Sequence, residues 1–331
     1  MGPKSNLNED ELLLTMKIFY GYDDQHYINI TSVIFDKCFQ DNELVIPAGD
    51  NKRCDLIGFD PYPNVLKHIL IVDYNKKKYR FDNQQECRLS FESIVKQLEG
   101  GMNPREWWRS TGKHISDWNE RIQELHKRFK FDHGVLNDEL PEQLLAAHFV
   151  KEGAKVLEIG GNLGRNTLVI STVLDDPKNH VVLECNPNIA PQLKHNLEIN
   201  GYATQVEPSA LSYTKLIQHD WSTIPASHAS GEGYKDWFEV PTITFEELEK
   251  KYEMQFDTLV ADCEGALYFI LKDHPSILDN IQMIIMENDY NDIDQKHMID
   301  AILYLKGFSR TYHMRGGWGP CFDFFYEVWS K

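Results

Sequence analysis

The segment Val156–Thr167, VLEIGGNLGRNT, places an acid, three glycines and an amide directly after a run of apolar residues. Such an apolar run is typical of a buried strand, and glycines after a strand let the backbone turn tightly and let a ligand approach. In an open α/β sheet, ligands bind beyond the carboxyl ends of the strands. The segment therefore predicts a nucleotide or nucleoside site, and a plain tight turn between strand and helix is the alternative.

The spacing of the glycines narrows the choice of ligand. A dinucleotide fingerprint starting at Gly160 needs a glycine where Asn162 stands, and a phosphate-binding P-loop needs a Gly-Lys-Ser/Thr that does not follow. The pattern that remains is acid-x-Gly-x-x-x-Gly, from Glu158 to Gly164, and it predicts S-adenosylmethionine. A carboxylate at Glu158 suits the ammonium group of the methionine part and would repel a pyrophosphate.

A second acid, Glu184, ends the next apolar run, HVVLEC. An acid at the tip of the second strand can accept hydrogen bonds from both ribose hydroxyls of a bound nucleoside. The alternative is an ordinary solvated acid at the start of a helix. Two acids at the tips of consecutive strands favour the nucleoside interpretation.

These two segments, together with SALS at Ser209–Ser212 and FDTLVADCEGALYFIL at Phe256–Leu271, resemble the FkbM family of S-adenosylmethionine-dependent methyltransferases. The resemblance covers the chain from about Leu140 onward. It implies the Rossmann-like class I methyltransferase fold, an α/β architecture with a mostly parallel seven-stranded sheet. It also implies methylation of an oxygen, commonly on a sugar or a small metabolite.

The resemblance implies roles for the residues at matching positions. The methionine part of the cofactor would contact Glu158, Gly160, Gly161, Asn162 and Gly164, the ribose would contact Glu184, and the adenine would lie near Ser209, Ala210 and Leu211. Val260 stands where the family usually has a lysine, two residues before the aspartate. If the family's lysine contributes to acceptor binding, another residue of this chain makes that contribution, or this chain lacks it.

Asp262 and Glu264 follow the strand-like run DTLVA and are the candidate catalytic residues. Methyl transfer from a sulfonium is an in-line displacement that mainly requires positioning, and a hydroxyl acceptor must also lose a proton to a base. We expect Asp262 to be that base and to contact the cofactor, with Glu264 next in order. In an extended strand tip both would point to one side and Cys263 to the other.

The acceptor is expected at the neighbouring strand end and a later loop. Glu287 and Asp289 end the run IIMEND, and His313, Arg315 and Trp318 lie in the glycine-containing loop YHMRGGWGPCF. A surface hairpin turn is the alternative for this loop. Asp262, Glu264 and Glu287 would be the ligands if a divalent metal were bound, since Mg²⁺ and Ca²⁺ prefer hard oxygen ligands, but no metal is expected.

The elements that position these residues alternate as strand and helix after Leu140, which predicts a parallel sheet covered on both faces. The C-terminal run CFDFFYEVWSK is expected to form an antiparallel edge strand, and residues 219–237 a lid or a flexible loop. The predicted organisation is a flexible N-terminus at 1–15, a small β-rich α+β domain at 16–100, a helical connector at 101–138 and the methyltransferase domain at 139–331. Three tryptophans of the connector, Trp107, Trp108 and Trp118, are expected to pack at a seam or to stack on a sugar.

Composition sets the remaining expectations. The 331 residues carry 34 basic and 51 acidic side chains, a net charge of -17, which disfavours nucleic acid as a partner. The six cysteines form no CxxC pair, and no apolar run is long enough to span a bilayer, so a cytoplasmic protein without membrane contact is expected. The use of Asn, Ile, Lys and Tyr indicates an AT-rich genome, and the N-terminal region resembles proteins of large DNA viruses, which makes a viral source an expectation.

The sequence therefore predicts an S-adenosylmethionine-dependent O-methyltransferase, EC 2.1.1.-, that acts by in-line transfer with a carboxylate base. The expected partner is a small-molecule or glycan acceptor, with the hydroxyl on a sugar, glycan or nucleotide-sugar. Two alternatives stay open, an RNA methyltransferase acting on a cap or ribose, and a non-catalytic glycan-binding or scaffold protein. The acceptor and the oligomeric state are not specified by the sequence.

Overall fold

The computed structural model describes residues 16–23, 25–40, 43–72, 76–90, 102–229, 232–317 and 319–331. Contacts divide the chain into two compact units, residues 1–116 and 117–331. The predicted flexible N-terminus, 1–15, lies outside the described residues. None of the helices in these described ranges is long and apolar enough to cross a membrane.

The first unit is an α+β arrangement built on two small antiparallel sheets. Its strands are β1 (Lys17–Gly21), β2 (Tyr27–Asn29), β3 (Phe39–Gln40), β4 (Glu43–Ile46), β5 (His68–Val72), β6 (Lys78–Phe81) and β7 (Cys87–Ser90). Its helices are α1 (Thr31–Cys38), α2 (Asp50–Ile57) and α3 (Pro104–Ser110). The sheet orders are β2-β1-β5-β6 and β3-β4-β7, and Ile18, Phe35 and Ile69 belong to the apolar core that they share with α1.

Helix α3 begins with a capping box. The Asn103 side chain accepts a hydrogen bond from the Glu106 N–H, the Glu106 carboxylate accepts one from the Asn103 N–H, and Pro104 takes the first helical position. Trp107 and Trp108 are buried. A buried ring cannot stack on a sugar, so that alternative is wrong for these two.

The second unit contains the long alternation of strands and helices. Its helices are α4 (Trp118–His126), α5 (Leu140–Phe149), α6 (Arg165–Val173), α7 (Ala190–Ile199), α8 (Phe245–Tyr252), α9 (Ala266–Asp273) and α10 (Ile293–Leu305). Its strands are β8 (Val156–Ile159), β9 (His180–Leu183), β10 (Gln205–Glu207), β11 (Ala210–Leu211), β12 (Leu216–His219), β13 (Ser222–Pro225), β14 (Phe238–Val240), β15 (Thr242–Ile243), β16 (Thr258–Ala261), β17 (Met283–Glu287), β18 (Ser309–Met314) and β19 (Tyr326–Ser330).

The main sheet has seven strands in the order β10-β9-β8-β16-β17-β19-β18. The first five run parallel, and β19 is antiparallel to both of its neighbours. This confirms the predicted Rossmann-like α/β fold with a mostly parallel seven-stranded sheet. The expectation that the C-terminal run forms the edge is wrong, because β19 lies between β17 and β18, and β18 forms the edge.

The register of the central strands brings their carboxyl ends level. Ile159 pairs with both Ala261 and Leu183, and Ala261 pairs with Met286. All residues of β8, β9 and β16 are buried, as expected for strands covered on both faces. The polar residues that follow these strands therefore meet at one edge of the sheet, where they form the site described below.

The segment after β11 forms a small sheet of its own. Strands β13, β12 and β14 pair antiparallel, with the turn of the β12–β13 hairpin at Asp220 and Trp221. The sequence predicts only a lid or a flexible loop in this region. The hairpin is ordered secondary structure, and its side chains contribute to the cavity.

Candidate active site

A cavity of about 500 Å³ lies at the carboxyl ends of β8, β9 and β16. This volume is typical of sites for small molecules and cofactors. Polar residues on its wall come from the strand ends and from the start of α5; they include Glu139, Glu142, Asn162, Glu184, Ser209, Asp262, Glu264 and Glu287. The apolar part of the wall includes Ile159, Leu183, Leu211 and Ile270.

The glycine-rich loop after β8 is held in place by backbone contacts. The N–H groups of Gly160 and Gly161 both donate to the Leu183 carbonyl, at 3.1 and 2.9 Å. Gly160 has φ +91°, and a Cβ there would lie 1.6 Å from the Asp262 carbonyl oxygen. Only glycine fits this position, because the loop passes directly against the backbone that follows β16.

Gly161 and Gly164 do not line the cavity, which corrects the prediction that they contact the cofactor. A Cβ on Gly161 would lie 2.4 Å from Val182 Cγ2, and one on Gly164 would lie 2.6 Å from Leu193 Cδ1. These two glycines therefore allow β9 and α7 to pack closely against the loop. Gly160 and Asn162 are the predicted residues of the loop that lie on the cavity wall.

Glu184 is a buried, firmly held carboxylate on the cavity wall, and its residue is 8% exposed. Its Oε2 accepts the Asn162 N–H at 2.9 Å and its Oε1 accepts the Asn186 N–H at 2.8 Å. Burial raises the pKa of Glu184, and the two backbone hydrogen bonds oppose that shift. A carboxylate has about four acceptor sites, so both oxygens can accept further hydrogen bonds from a ligand.

Glu158 does not reach the cavity, and the prediction that it contacts the methionine ammonium is corrected. Its side chain is 2% exposed, and its Oε2 lies 3.0 Å from His180 Nε2. The two atoms lie within ion-pair distance, but their alignment does not form a hydrogen bond. Because β8 is buried on both faces, a side chain in its interior packs within the domain rather than at the strand end.

The three residues predicted to lie near adenine, Ser209, Ala210 and Leu211, all line the cavity. They are supported from below by Glu207, which is 3% exposed and accepts hydrogen bonds from Ser209 Oγ at 2.7 Å, Lys251 Nζ at 2.6 Å and Tyr252 OH at 2.9 Å. Burial acts to raise the pKa of Glu207, but these three donors outweigh it and the pKa is lowered. The network joins β10 to α8 beneath this wall of the cavity.

Carboxyl groups crowd the other wall of the cavity. One oxygen from each of Glu142, Asp262 and Glu287 lies within 4.8 Å of the other two. Burial and the surrounding carboxyls, Glu142 first, raise the pKa of Asp262 well above its ordinary value and that of Glu287 to about 12. Asp289 is buried next to this cluster but is not on the cavity wall, and burial together with the charge of Glu142 raises its pKa as well.

Asp262, Cys263 and Glu264 all line the cavity, and the Cys263 side chain also packs against the apolar core. Strand β16 ends at Ala261, and Glu264 has φ +51°, so the chain turns here and does not alternate as an extended strand would. Partial burial and the negative charges of Asp289 and Glu139 raise the pKa of Glu264 to about 7. Glu264 does not cap α9, whose first turn receives no side-chain hydrogen bond.

The predicted acceptor loop lies elsewhere. His313 belongs to the edge strand β18 and its ring lies 4.9 Å from that of Phe324, while Arg315 Nε pairs with Asp323 Oδ1 at 2.8 Å. Neither residue lines the cavity, so the prediction that they close it is corrected; the apparent loop is the end of an edge strand. Trp318 lies outside the described residues.

Sequence reasoning missed two groups that line the cavity. Glu139 and Glu142 come from the start of α5, where Arg165 Nη1 pairs with Glu139 Oε1 at 2.9 Å and the Asn162 amide donates to the same oxygen at 3.0 Å. The β12–β13 hairpin contributes Leu216, Gln218, Trp221 and Thr223. Trp221 is 57% exposed and is the aromatic face that the hairpin brings to the cavity.

Comparison with protein families identifies the class. The sequence profile of the family described as Methyltransferase FkbM domain matches residues 158–314. The matched range begins in β8 and ends in β18, and it contains the strand ends that form the cavity. Residues 158–314 of the second unit thus match an FkbM methyltransferase domain, and the fold and the match together identify the class of S-adenosylmethionine-dependent methyltransferases.

Several solved structures are similar to the chain at low identity. They include an O-methyltransferase from Bacillus cereus in complex with SAH (15% identity, 69% of this chain and 100% of that chain, TM-score 0.37) and the ribosomal protein L11 methylase from Lactobacillus delbrueckii subsp. bulgaricus (15%, 58% and 78%, 0.36). A third is the precorrin-6y C5,15-methyltransferase from Geobacter metallireducens (11%, 62% and 96%, 0.35). No curated protein matches the chain. The assignment rests on the family match and on the fold itself.

Proposed function

We propose that the chain is an S-adenosylmethionine-dependent O-methyltransferase whose acceptor is a hydroxyl of an uncharged sugar or glycan. The observation that carries the proposal is the cavity at the strand ends of the FkbM domain, with a fixed carboxylate, Glu184, on one wall and Glu264 on the other. The Glu184 carboxylate can bind the ribose of a nucleoside, and the Glu264 carboxylate can accept a proton from the acceptor hydroxyl.

The residues on the cavity wall fit the cofactor. Glu184 keeps acceptor sites for the two ribose hydroxyls, and Ser209, Ala210 and Leu211 offer a mixed polar and apolar surface for the adenine. Gly160 and Asn162 leave the backbone accessible beside the methionine part. S-adenosylmethionine, when bound, supplies a methyl group on an already activated leaving group.

The acceptor side of the cavity favours a neutral molecule with an apolar face. Trp221 offers a partly exposed indole, and flat aromatic rings suit the C–H faces of sugars. This wall offers the carboxyl groups of Glu142, Asp262, Glu264 and Glu287 and, among the described residues that line the cavity, no Lys or Arg to bind a phosphate, so nucleotide-sugars and RNA fit it less well. Hydroxyl groups, in contrast, can donate hydrogen bonds to it.

We propose Glu264 as the general base. It is exposed within the cavity, whereas Asp262 is held in the cluster with Glu142 and Glu287. An acceptor hydroxyl must lie within hydrogen-bond reach of the base as it attacks, and Glu264 is free to meet it. In this arrangement Asp262 positions the acceptor.

Two measurements test the proposal. Titration calorimetry with S-adenosylmethionine should show one site per chain, and absence of heat at saturating concentrations would contradict the cofactor assignment. A mass-spectrometric screen of neutral sugars, glycans, nucleotide-sugars and capped RNA, each incubated with protein and cofactor, should show the gain of one methyl group in a neutral carbohydrate. Methylation of RNA alone would overturn the proposed acceptor and leave the cofactor site intact.

A further inference from the structure

We propose that Glu142, Asp262 and Glu287, with the side-chain oxygen of Asn166, form a binding site for one divalent metal cation. The metal site adjoins the acceptor side of the large cavity. Its role in methyl transfer therefore rests on the proposed function. Its existence as a metal site is independent of methyl transfer and can be tested without it.

The three carboxylates come from different elements that converge at one point. Glu142 lies in the first turn of α5, Asp262 follows β16 and Glu287 ends β17. One oxygen from each lies within 4.8 Å of the other two, which is the separation expected between ligands of a single cation with metal–oxygen distances of about 2.0–2.6 Å. Three hard oxygen donors in this geometry suit Mg²⁺, Ca²⁺ or Mn²⁺.

A buried pair of carboxyl groups within the cluster points independently to a ligand. Glu142 is 6% exposed, and no N–H group of the described residues donates to its buried Oε2; the partner of its carboxyl group is the neighbouring carboxyl of Glu287. Two buried carboxyl groups in contact are strongly unfavourable when both are charged, unless they share a proton or coordinate a metal. The fold therefore holds these carboxyl groups in a place that requires a shared proton or a metal cation.

A small second cavity marks the place for such a cation. It measures about 10 Å³, the size of one water molecule, and Glu142, Asp262 and Glu287 line both this cavity and the large one, while the rest of its wall is mostly apolar. Asn166 lines the small cavity too, and its Oδ1 is buried without a hydrogen-bond partner among the described residues. An amide oxygen is a ligand that Ca²⁺ and Mg²⁺ accept, so Asn166 is a candidate for a fourth donor.

The first unit offers an internal comparison. Its own acidic cluster, Asp50, Cys54 and Asp60, surrounds the buried ammonium of Lys67, which lies 2.8 Å from Asp50 Oδ2 and 2.9 Å from Asp60 Oδ1. In the second unit, by contrast, no Lys, Arg or His in the described ranges forms an ion pair with Glu142, Asp262 or Glu287. The cluster in the first unit is neutralised by a lysine of the chain, whereas the cluster in the second unit would bind a cation from solution.

A cation at this point would lie at the boundary between the small cavity and the acceptor side of the large one. The chain's carboxylates would then hold a hydroxyl-bearing acceptor through the ion, and the negative charge of the wall would be offset. This explains how a cavity wall with so many carboxyl groups can face a reacting hydroxyl near Glu264.

The test is direct Mn²⁺ binding to the full-length protein after treatment with EDTA, followed by electron paramagnetic resonance of the free ion and by calorimetry. The wild-type protein should bind one Mn²⁺ per chain, and Mg²⁺ or Ca²⁺ should compete. Glu142→Gln and Glu287→Gln should each weaken binding at least tenfold. Glu264→Gln removes the same charge from the same cavity but from outside the cluster, and should change affinity less than threefold.

Circular dichroism and thermal unfolding of each variant establish that it is folded, and bound Mn²⁺ should raise the melting temperature of the wild-type protein but not that of Glu142→Gln. Absence of saturable binding to the wild-type protein would overturn the inference, and so would equal losses in Glu142→Gln and Glu264→Gln, which would indicate general attraction of cations. S-adenosylmethionine binding measured in EDTA separates this result from the proposed function. Retained cofactor binding without Mn²⁺ binding would refute the metal site alone.

Discussion

The Glu184 carboxylate accepts the backbone N–H of Asn162 at 2.9 Å, and this contact joins the end of β9 to the glycine-rich loop after β8. The same side chain also accepts the Asn186 N–H, so it fixes two loops while it faces the cavity. Its orientation is therefore set before any ligand arrives, which lowers the cost of ordering the site on binding.

Replacing Glu184 with alanine should weaken the binding of S-adenosylmethionine by about 1–3 kcal/mol, the scale of charge-assisted hydrogen bonds. Calorimetry would measure this, with Glu198→Ala as the control, since Glu198 is an exposed residue of α7 with one long contact to Lys194. Equal affinities for the wild-type protein and Glu184→Ala would show that the ribose binds elsewhere.

Replacing Glu264 with glutamine should lower the turnover number by roughly 10²–10⁴-fold, the usual contribution of a positioned general base. Cofactor affinity should stay close to that of the wild-type protein, because the change removes a proton acceptor on the acceptor side of the cavity. Steady-state kinetics with the acceptor found in the screen provide the measurement. Asp323→Asn, on the surface beside Arg315, is the control. A turnover number unchanged in Glu264→Gln would assign the proton to another group.

Gly160→Ala should destabilise the domain by about 2 kcal/mol or more, because a non-glycine residue at strongly positive φ costs about 1–3 kcal/mol and the new methyl group would also clash with the Asp262 carbonyl. Gly153→Ala is a matched control, since a Cβ there meets nothing within 4 Å. It should change the free energy of unfolding by less than about 0.5 kcal/mol. Urea denaturation of both variants decides, and equal midpoints would show that the loop can move away from β16.

Stability should depend on pH through Glu207. Its pKa is lower in the folded state than in the unfolded chain, so its contribution is fully present above the unfolded value of about 4.3 and is lost as the pH falls through the folded value. The free energy of unfolding of the wild-type protein should exceed that of Glu207→Gln near pH 6, and the gap should narrow below about pH 4. Glu239→Gln, at an exposed pair with Lys215, should show no comparable gap. A difference that is constant with pH would refute the assignment.

The sequence predicts the alternation of strands and helices that builds the main sheet, because features such as the apolar run of β8 are local, but it does not predict the small sheet β13-β12-β14 or the edge strand β18. Glu184 and Asp262 were also predictable as cavity residues, since each directly follows a strand whose partners could be ordered. The register of the strands then determines that these residues meet, because strands that end level place the next residue of each strand at the same edge of the sheet.

Other parts of the site depend on contacts that the sequence does not reveal. Glu142 is 120 positions from Asp262, and in the sequence it is like any acid in the first turn of a helix. Glu158 was misplaced because a strand buried on both faces has no alternation that shows which side chain faces a ligand. The glycines after His313 predict a loop, while the structure places it in β18, whose pairing depends on the distant strand β19.

Two of the thiols, Cys185 and Cys263, lie on the cavity wall. Burial and the adjacent Glu184 raise the pKa of Cys185 to about 11, and burial and Asp262 raise that of Cys263 further still. Only the thiolate is nucleophilic, so both sulfurs should react sluggishly with alkylating reagents and peroxide at neutral pH. The pocket should thus tolerate oxidising surroundings that inactivate enzymes with a reactive cysteine beside the substrate.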